Sequence, residues 1–359
     1  RGAGFTSNAS FNIFLGKYAG YDNTSGCQNI IMGCCAGANA TTGCCNILLG
    51  TQVAAGSAIT GIRNVVLGSS AGSNLTSGSE NVFLGHSSGD QVTIGNKNVY
   101  LGEDAGQCQT TGCYNIALGW IALRGSSTPS NNTGRDNIAM GQYTGSEVTS
   151  GSYNIFLGTN SGKCTTTGSS NVFMGYYAGT NTTSSNAIAI GQEAGKGCAG
   201  SSGASNISLG TSAGFGLSTG GCNILMGSCA GRTVTSSCYN VFIGHEAGRS
   251  SGGNVTGNKN VSLGYAASCN ITSGNHNVTI GQNAGRDISS GSYNVYLGSC
   301  AGNNINSGSH NVMIGCNVEG ASATGSCQFK IGVGSNHSIC GHSSFNIYDK
   351  DGNQITGGG

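Results

Sequence analysis

One short alternation of polar and apolar positions returns along the whole chain: Asn, apolar, any residue, apolar, Gly. It reads "NVFLGHSSG" at 81–89, "NVFMGYYAG" at 171–179 and "NVFIGHEAG" at 240–248. The closing Gly serves as a ruler. It falls at Gly16, Gly33, Gly50, Gly68, Gly85, Gly102, Gly119, Gly141, Gly158, Gly175, Gly191, Gly210, Gly227, Gly244, Gly264, Gly281, Gly298, Gly315 and Gly332. These 19 copies step by 17 residues in 13 of 18 intervals, a regularity that ordinary globular folds lack. Three insertions fall before Gly141, Gly210 and Gly264.

Other columns keep the same register. Asn stands four before the ruler in 17 copies, with Ala187 and Gln328 as the exceptions. Ala-Gly recurs three and four after it, as at Ala19-Gly20 and Ala178-Gly179. Thr recurs eight after it, at Thr24, Thr41, Thr76, Thr93, Thr110, Thr149, Thr166, Thr183, Thr235 and Thr272. Gly, Asn, Ser and Thr oppose helix, and the pentapeptide has the period of a strand. A unit this short buries its apolar edge only by stacking on its neighbours. The pattern therefore predicts an all-β fold. It is a parallel β-solenoid (β-roll) of about 19 rungs over residues 1–334, with a main strand and a shorter second strand around the Thr. At about 4.8 Å per rung the rod is roughly 90 Å long. The Asn column either stacks as an amide ladder or only tolerates a bend at the strand entry. Past Gly332 the pattern fails. Residues 335–359 read as a cap or the start of a following domain, with two short strands around the Asp-Gly of "SSFNIYDKDGNQITGGG".

In this reading the Val/Ile and Leu/Ile/Met columns fill the core. The variable residue between them then faces outward. It is Phe14, Ile31, Leu48, Val66, Phe83, Tyr100, Phe156, Phe173, Leu225, Phe242, Tyr296 or Met313 in twelve copies. An exposed apolar stripe that long predicts lateral association of rods, with Phe14, Phe83, Tyr100, Phe156, Phe173, Leu225, Phe242 and Tyr296 at the interface.

"NAIAIGQEAG" at 186–195, "NIALG" at 115–119 and "NIAMG" at 137–141 resemble the head repeat of YadA-like trimeric autotransporter adhesins, and related repeats occur in virus and phage fibres. The resemblance covers residues 8 to about 334. It implies a left-handed β-roll with three chains side by side, in a cell-surface or virion-surface fibre.

Composition changes the picture in few places. Charged residues make up 8% of the chain and the net charge is +1, so no basic patch suggests nucleic acid. No apolar run approaches a membrane span. The chain opens on Arg1 directly in the pattern, as expected of a piece of a longer protein. The 17 Cys point to an oxidising exterior, and their odd number leaves at least one free or bonded to another chain. Candidate disulfide residues are Cys27, Cys44, Cys108, Cys113, Cys222 and Cys238, of which Cys27 and Cys44 share one column on consecutive rungs. The pairs Cys34-Cys35 and Cys44-Cys45 lack the short spacing of a zinc site, so no metal is expected.

Sequons mark Asn23, Asn39, Asn74, Asn181 and Asn270 as candidate N-glycosylation sites, and Asn8, Asn131, Asn254 and Asn336 also match. Asn39, Asn74, Asn181 and Asn270 share the column six after the ruler, so they form either a row of glycans or an Asn/Thr turn column. Asn206, Asn260 and Asn277 match too, but in the strand column where a glycan does not fit. The six His are scattered and no phosphate loop or Ser/His/Asp set emerges, so neither enzyme nor cofactor is expected. The sequence predicts a structural or adhesive segment of an extracellular fibre. Such a segment forms a homo-oligomer, trimer favoured, and can engage a host-surface or glycan receptor. The alternative is an ice-binding β-solenoid, weakened because only one Thr column is regular.

Overall fold

The structure, a computed structural model, describes residues 2–5, 7, 9–128, 132–198, 200–334 and 336–341. Among these there is no helix. The chain divides into two units, Arg1–Asn186 and Ala187–Gly359. Unit 1 carries β1 (Ile13–Leu15), β2 (Ile30–Met32), β3 (Ile47–Leu49), β4 (Val65–Leu67), β5 (Val82–Leu84), β6 (Val99–Leu101), β7 (Ile116–Leu118), β8 (Ile138–Met140), β9 (Ile155–Leu157) and β10 (Val172–Met174). Unit 2 carries β11 (Ile188–Ile190), β12 (Ile207–Leu209), β13 (Ile224–Met226), β14 (Val241–Ile243), β15 (Val261–Leu263), β16 (Val278–Ile280), β17 (Val295–Leu297), β18 (Val312–Ile314), β19 (Phe329–Val333) and β20 (Asn336–Gly341). Within each unit consecutive strands pair in parallel and in register, as Phe83 with Tyr100 and Leu84 with Leu101. The solenoid expected from the 17-residue repeat is thus present in both units. At its C-terminal end β20 turns back and pairs antiparallel with β19. The Asp-Gly turn expected in 343–359 lies outside the described residues.

Strands β1 to β18 are each three residues long because the ruler Gly stops them. Gly85 has φ +137°, and a Cβ there would stand 2.5 Å from the Gly102 carbonyl oxygen of the next rung. The other side of the rung is a turn and not the second strand expected from the sequence. It carries isolated bridges, as between Ala40 and Ile59 and between Val234 and Val255. The Thr column explains this. The Thr93 carbonyl accepts the Thr76 N–H (2.9 Å), the Gly78 N–H (3.2 Å) and the Thr76 hydroxyl (2.9 Å). Three donors converging on one carbonyl bend the chain, where a ladder would take one donor per carbonyl.

The Asn column forms an amide ladder, which resolves the alternatives left open by the sequence. Asn98 donates its backbone N–H (2.9 Å) and its Nδ2 (3.1 Å) to Asn81 Oδ1. Its Nδ2 also donates to the Gly112 carbonyl (2.9 Å), and its own Oδ1 accepts the Asn115 N–H (2.9 Å). The ladder runs from Asn12 to Asn171 in unit 1. In unit 2 it begins at Asn206 and ends where Gln328 donates its N–H to Asn311. Ala187, at this position before β11, carries no amide. Asn98 is fully buried, so each of these bonds replaces contact with water.

The interior is filled by the middle side chain of each strand and by a second buried column seven after the ruler, as at Leu75, Val92, Val148, Val234, Ile271 and Ile288. Phe83 and Tyr100 are fully buried and stack with ring centroids 5.1 Å apart and planes at 8°. Phe156 and Phe173 stack at 5.5 Å. Burial pushes the Tyr100 phenol far above its ordinary pKa, so it stays neutral. Opposite each ring lies the Gly four after the ruler. Gly106 has φ +60°, and a Cβ on it would meet the Tyr100 ring at 2.4 Å. Where the strand residue shrinks to Ala117, this position enlarges to Leu123, which is fully buried. Where it becomes Ser262, the position is Ser268, whose hydroxyl shares a 2.7 Å hydrogen bond with Thr279 Oγ1 of the next rung.

Two predictions follow from the ladder and the ring contact. Gly106→Ala should lose roughly 1–3 kcal/mol of stability, whereas Gly252→Ala, with open space at its Cβ, should change it little. Chemical denaturation of both variants measures this. Asn98→Asp should place a buried carboxylate against two acceptors, Asn81 Oδ1 and the Gly112 carbonyl. Its folded-state pKa then lies above the unfolded value of about 3.9. Stability should fall as pH rises from about 4 to that raised pKa, and stay low at neutral pH. A variant whose stability does not recover in acid would contradict the ladder.

Candidate functional site

The strand residues face opposite to the sequence-based expectation. Phe83, Tyr100, Phe156, Phe173, Leu225, Phe242 and Tyr296 are all buried inside the rod of their own chain, and Phe14 points the same way in the end rung. They cannot line an axis shared between chains. The outward columns are the two assigned to the core. Every strand from β1 to β18 places Val or Ile at its first position and Leu, Met or Ile at its third, without exception. These side chains are half-buried by their neighbours along the column, and several are more open, as Met140 at 42% and Ile190 at 40%. The reason is spatial. The middle residue packs against the Gly column four after the ruler and the buried aliphatic column seven after it, which sends its two strand neighbours to the opposite face.

In unit 1 the ten strands stack at about 4.8 Å and make an aliphatic face about 48 Å long and 10 Å wide. On the order of 500 Å² of apolar surface, it matches the largest patch of a typical monomer. No charged or polar side chain interrupts either column from β1 to β18.

Polar and aromatic residues occupy other surface columns. The residue before each ladder Asn has positive φ although it is never Gly, as at Lys97 (58°), Tyr114 (59°), Tyr153 (60°) and His276 (56°). Lys97 Nζ lies over Tyr114 at 5.2 Å and the Arg135 guanidinium over Tyr153 at 5.6 Å. In unit 2, Tyr293 is stacked between His276 (4.8 Å) and His310 (5.1 Å). These contacts between rungs offset the cost of a left-handed backbone.

The six candidate disulfide residues separate sharply. Cys27 and Cys44 stand on adjacent rungs with sulfurs 3.0 Å apart. Cys113 accepts the Asn96 N–H (3.3 Å) and Cys238 accepts the Gly221 N–H (3.3 Å), so each sits against a neighbour that is not Cys. Cys108 lies six after its ruler and Cys222 five before its own, in columns away from Cys113 and Cys238. Burial pushes the Cys108 thiol up, and pushes that of Cys164 to about 11.

Of the glycan candidates, Asn23 is corrected. It sits one residue beyond the shared column, is fully buried and accepts a hydrogen bond from the Ser7 hydroxyl (3.2 Å). Asn39, Asn74, Asn181 and Asn270 are half-buried at the rim. Asn39 Nδ2 donates to the Ala55 carbonyl (2.7 Å) and Asn270 Nδ2 to Asp287 Oδ1 (3.1 Å). Asn254 is exposed. Asn8 and Asn131 lie outside the described residues.

His245 stacks on Tyr265 at 5.3 Å, while its neighbour Glu246 pairs with Arg249. Among the described residues no group of three His, Cys, Asp or Glu is placed to hold a metal ion, and no helix is long and apolar enough to cross a membrane. No protein-family model matches this chain, nor does any curated protein.

Intact glycopeptide analysis of material made in a glycosylating host should find Asn23 unmodified in the folded protein, with any occupancy among Asn39, Asn74, Asn181 and Asn270. A glycan on Asn23 in folded material would contradict its inward placement.

Proposed function

We propose that the chain is a structural and adhesive segment of an extracellular fibre, on a cell or virion surface, in which three copies pack side by side along their aliphatic strand faces. The observation that carries this reading is the unbroken pair of outward aliphatic columns. Ridges spaced by one rung interdigitate best with a partner of the same rise, and a second copy has that rise. Two such faces from unit 1 bury about 1,000 Å² together, the lower end of a specific interface. Three copies, rather than two, rest on the likeness of "NAIAIG" to adhesin head repeats. Surface residues such as Trp120 and Tyr176, 42% and 50% exposed, are left to meet a host-surface or glycan receptor. The role is non-enzymatic and needs no cofactor.

The ice-binding alternative rests on the Thr column. Its hydroxyls are turned to neighbouring carbonyls, as Thr149 Oγ1 to Thr166 O at 3.0 Å, which leaves them poorly disposed to order water. A thermal-hysteresis assay separates the two readings.

Light scattering at micromolar concentration should give three chains per particle. Leu84→Lys, Leu101→Lys and Leu118→Lys together should yield folded monomers. Phe83→Asp should instead unfold its unit, since truncating a buried aromatic alone costs about 3–5 kcal/mol. A monomer for the unmutated chain would overturn the assembly.

A further inference from the structure

We infer that Cys27 and Cys44 are a redox site whose disulfide clips together the rungs of β2 and β3. Both stand two residues before a ladder Asn. In this column a side chain leans toward the preceding rung and accepts a backbone N–H from the same column there. Ser79 accepts from Ile62 (3.1 Å), Ser152 from Arg135 (3.1 Å) and Ser309 from Ser292 (3.0 Å). Cys44 does the same for the Cys27 N–H, at 3.1 Å. That lean brings its sulfur to 3.0 Å from Cys27 Sγ, inside the contact distance of two unbonded sulfurs. Among the described residues this is the one place where two Cys follow each other in the column. The hydrogen bond with Cys44 also pushes the Cys27 thiol above its ordinary pKa.

Other thiols nearby do not share the geometry. Cys34 and Cys35 are 3.6 Å apart but adjacent in sequence, and Cys45 Sγ donates to Gln28 Oε1 at 3.3 Å. The oxidant is a low-molecular-weight disulfide. One of the two thiolates attacks it, forming a mixed disulfide and expelling a thiolate. The second then attacks the mixed disulfide, closes the Cys27–Cys44 bond and expels the other half. The two thiol protons pass to the two released thiolates, and the oxidant leaves as two thiols. The clip closes a loop of one repeat near the end of unit 1, where rungs have the fewest neighbours. This inference stands independently of the fibre reading.

The test uses the full chain equilibrated with oxidised glutathione, alkylated without reduction, then cut with trypsin and cyanogen bromide. Cleavage after Lys17, Met32 and Arg63 leaves Cys27 alone in 18–32 and places Cys34, Cys35, Cys44 and Cys45 in 33–63. The expected product links the two fragments through Cys44, with complete loss of Cys27 alkylation. Cys44→Ser keeps the acceptor usual in this column, so it should fold and lose the link. Cys27 alkylated after oxidation, or a link that survives Cys44→Ser, overturns the inference.

Discussion

The structure depends on keeping every rung in register with the next, and the buried Asn ladder enforces this. Each ladder Asn holds the rung before it through its backbone N–H and the rung after it through its side-chain oxygen and nitrogen, as Asn98 does. A slip of one residue would orphan both groups in a dry interior, each at about 1–3 kcal/mol. Insertions are accommodated without breaking the ladder. The Asn115–Asn137 step spans 22 residues and keeps its hydrogen bond at 3.0 Å. Between Asn240 and Asn260 the extra residues 251–254 are exposed while the amides stay hydrogen-bonded at 2.9 Å.

Register then decides what each side chain can be. Inside, one residue per rung faces a Gly whose missing Cβ makes room for a ring. In one rung the pair exchanges sizes, with Leu123 in place of Gly beside Ala117, whereas Ala139 and Ala189 keep Gly145 and Gly195. Outside, the two aliphatic columns do not vary in kind. An interior can trade size between partners within a rung, but an outer face meeting an equally spaced partner must stay level from rung to rung. This contrast links the fold to the proposed assembly.

The period, the parallel stacking and the strand positions were legible in the sequence because they follow from spacing alone. The inward direction was not. In all but three of the strands from β1 to β18 every position is apolar, and period two separates the faces without saying which is inside. The signal lay in the compensation. Leu123 replaces Gly only opposite Ala117, and Ser268 joins Ser262 and Thr279, so the middle strand residue had to share a space with the position after Ala. The positive-φ column was equally hidden, because Lys97, Tyr114 and His276 tolerate there a backbone usually signalled by Gly. Asn23 was named a glycan candidate although it is buried, since a sequon marks chemistry and carries no information on burial. For Cys27 and Cys44, column identity was enough to suggest proximity, but the lean of the side chains was not visible.

The inward and outward assignment has a direct probe in the five methionines. Met32, Met140, Met174 and Met226 occupy the outward third position of their strands, whereas Met313 occupies the inward middle position and is fully buried. Dilute peroxide followed by peptide mass spectrometry reads their oxidation rates one by one. In the folded chain Met313 should be the slowest of the five. The outward four should react quickly in dissociated chains and slowly once the strand faces are covered. Met313 reacting as quickly as Met140 in folded material would contradict the account.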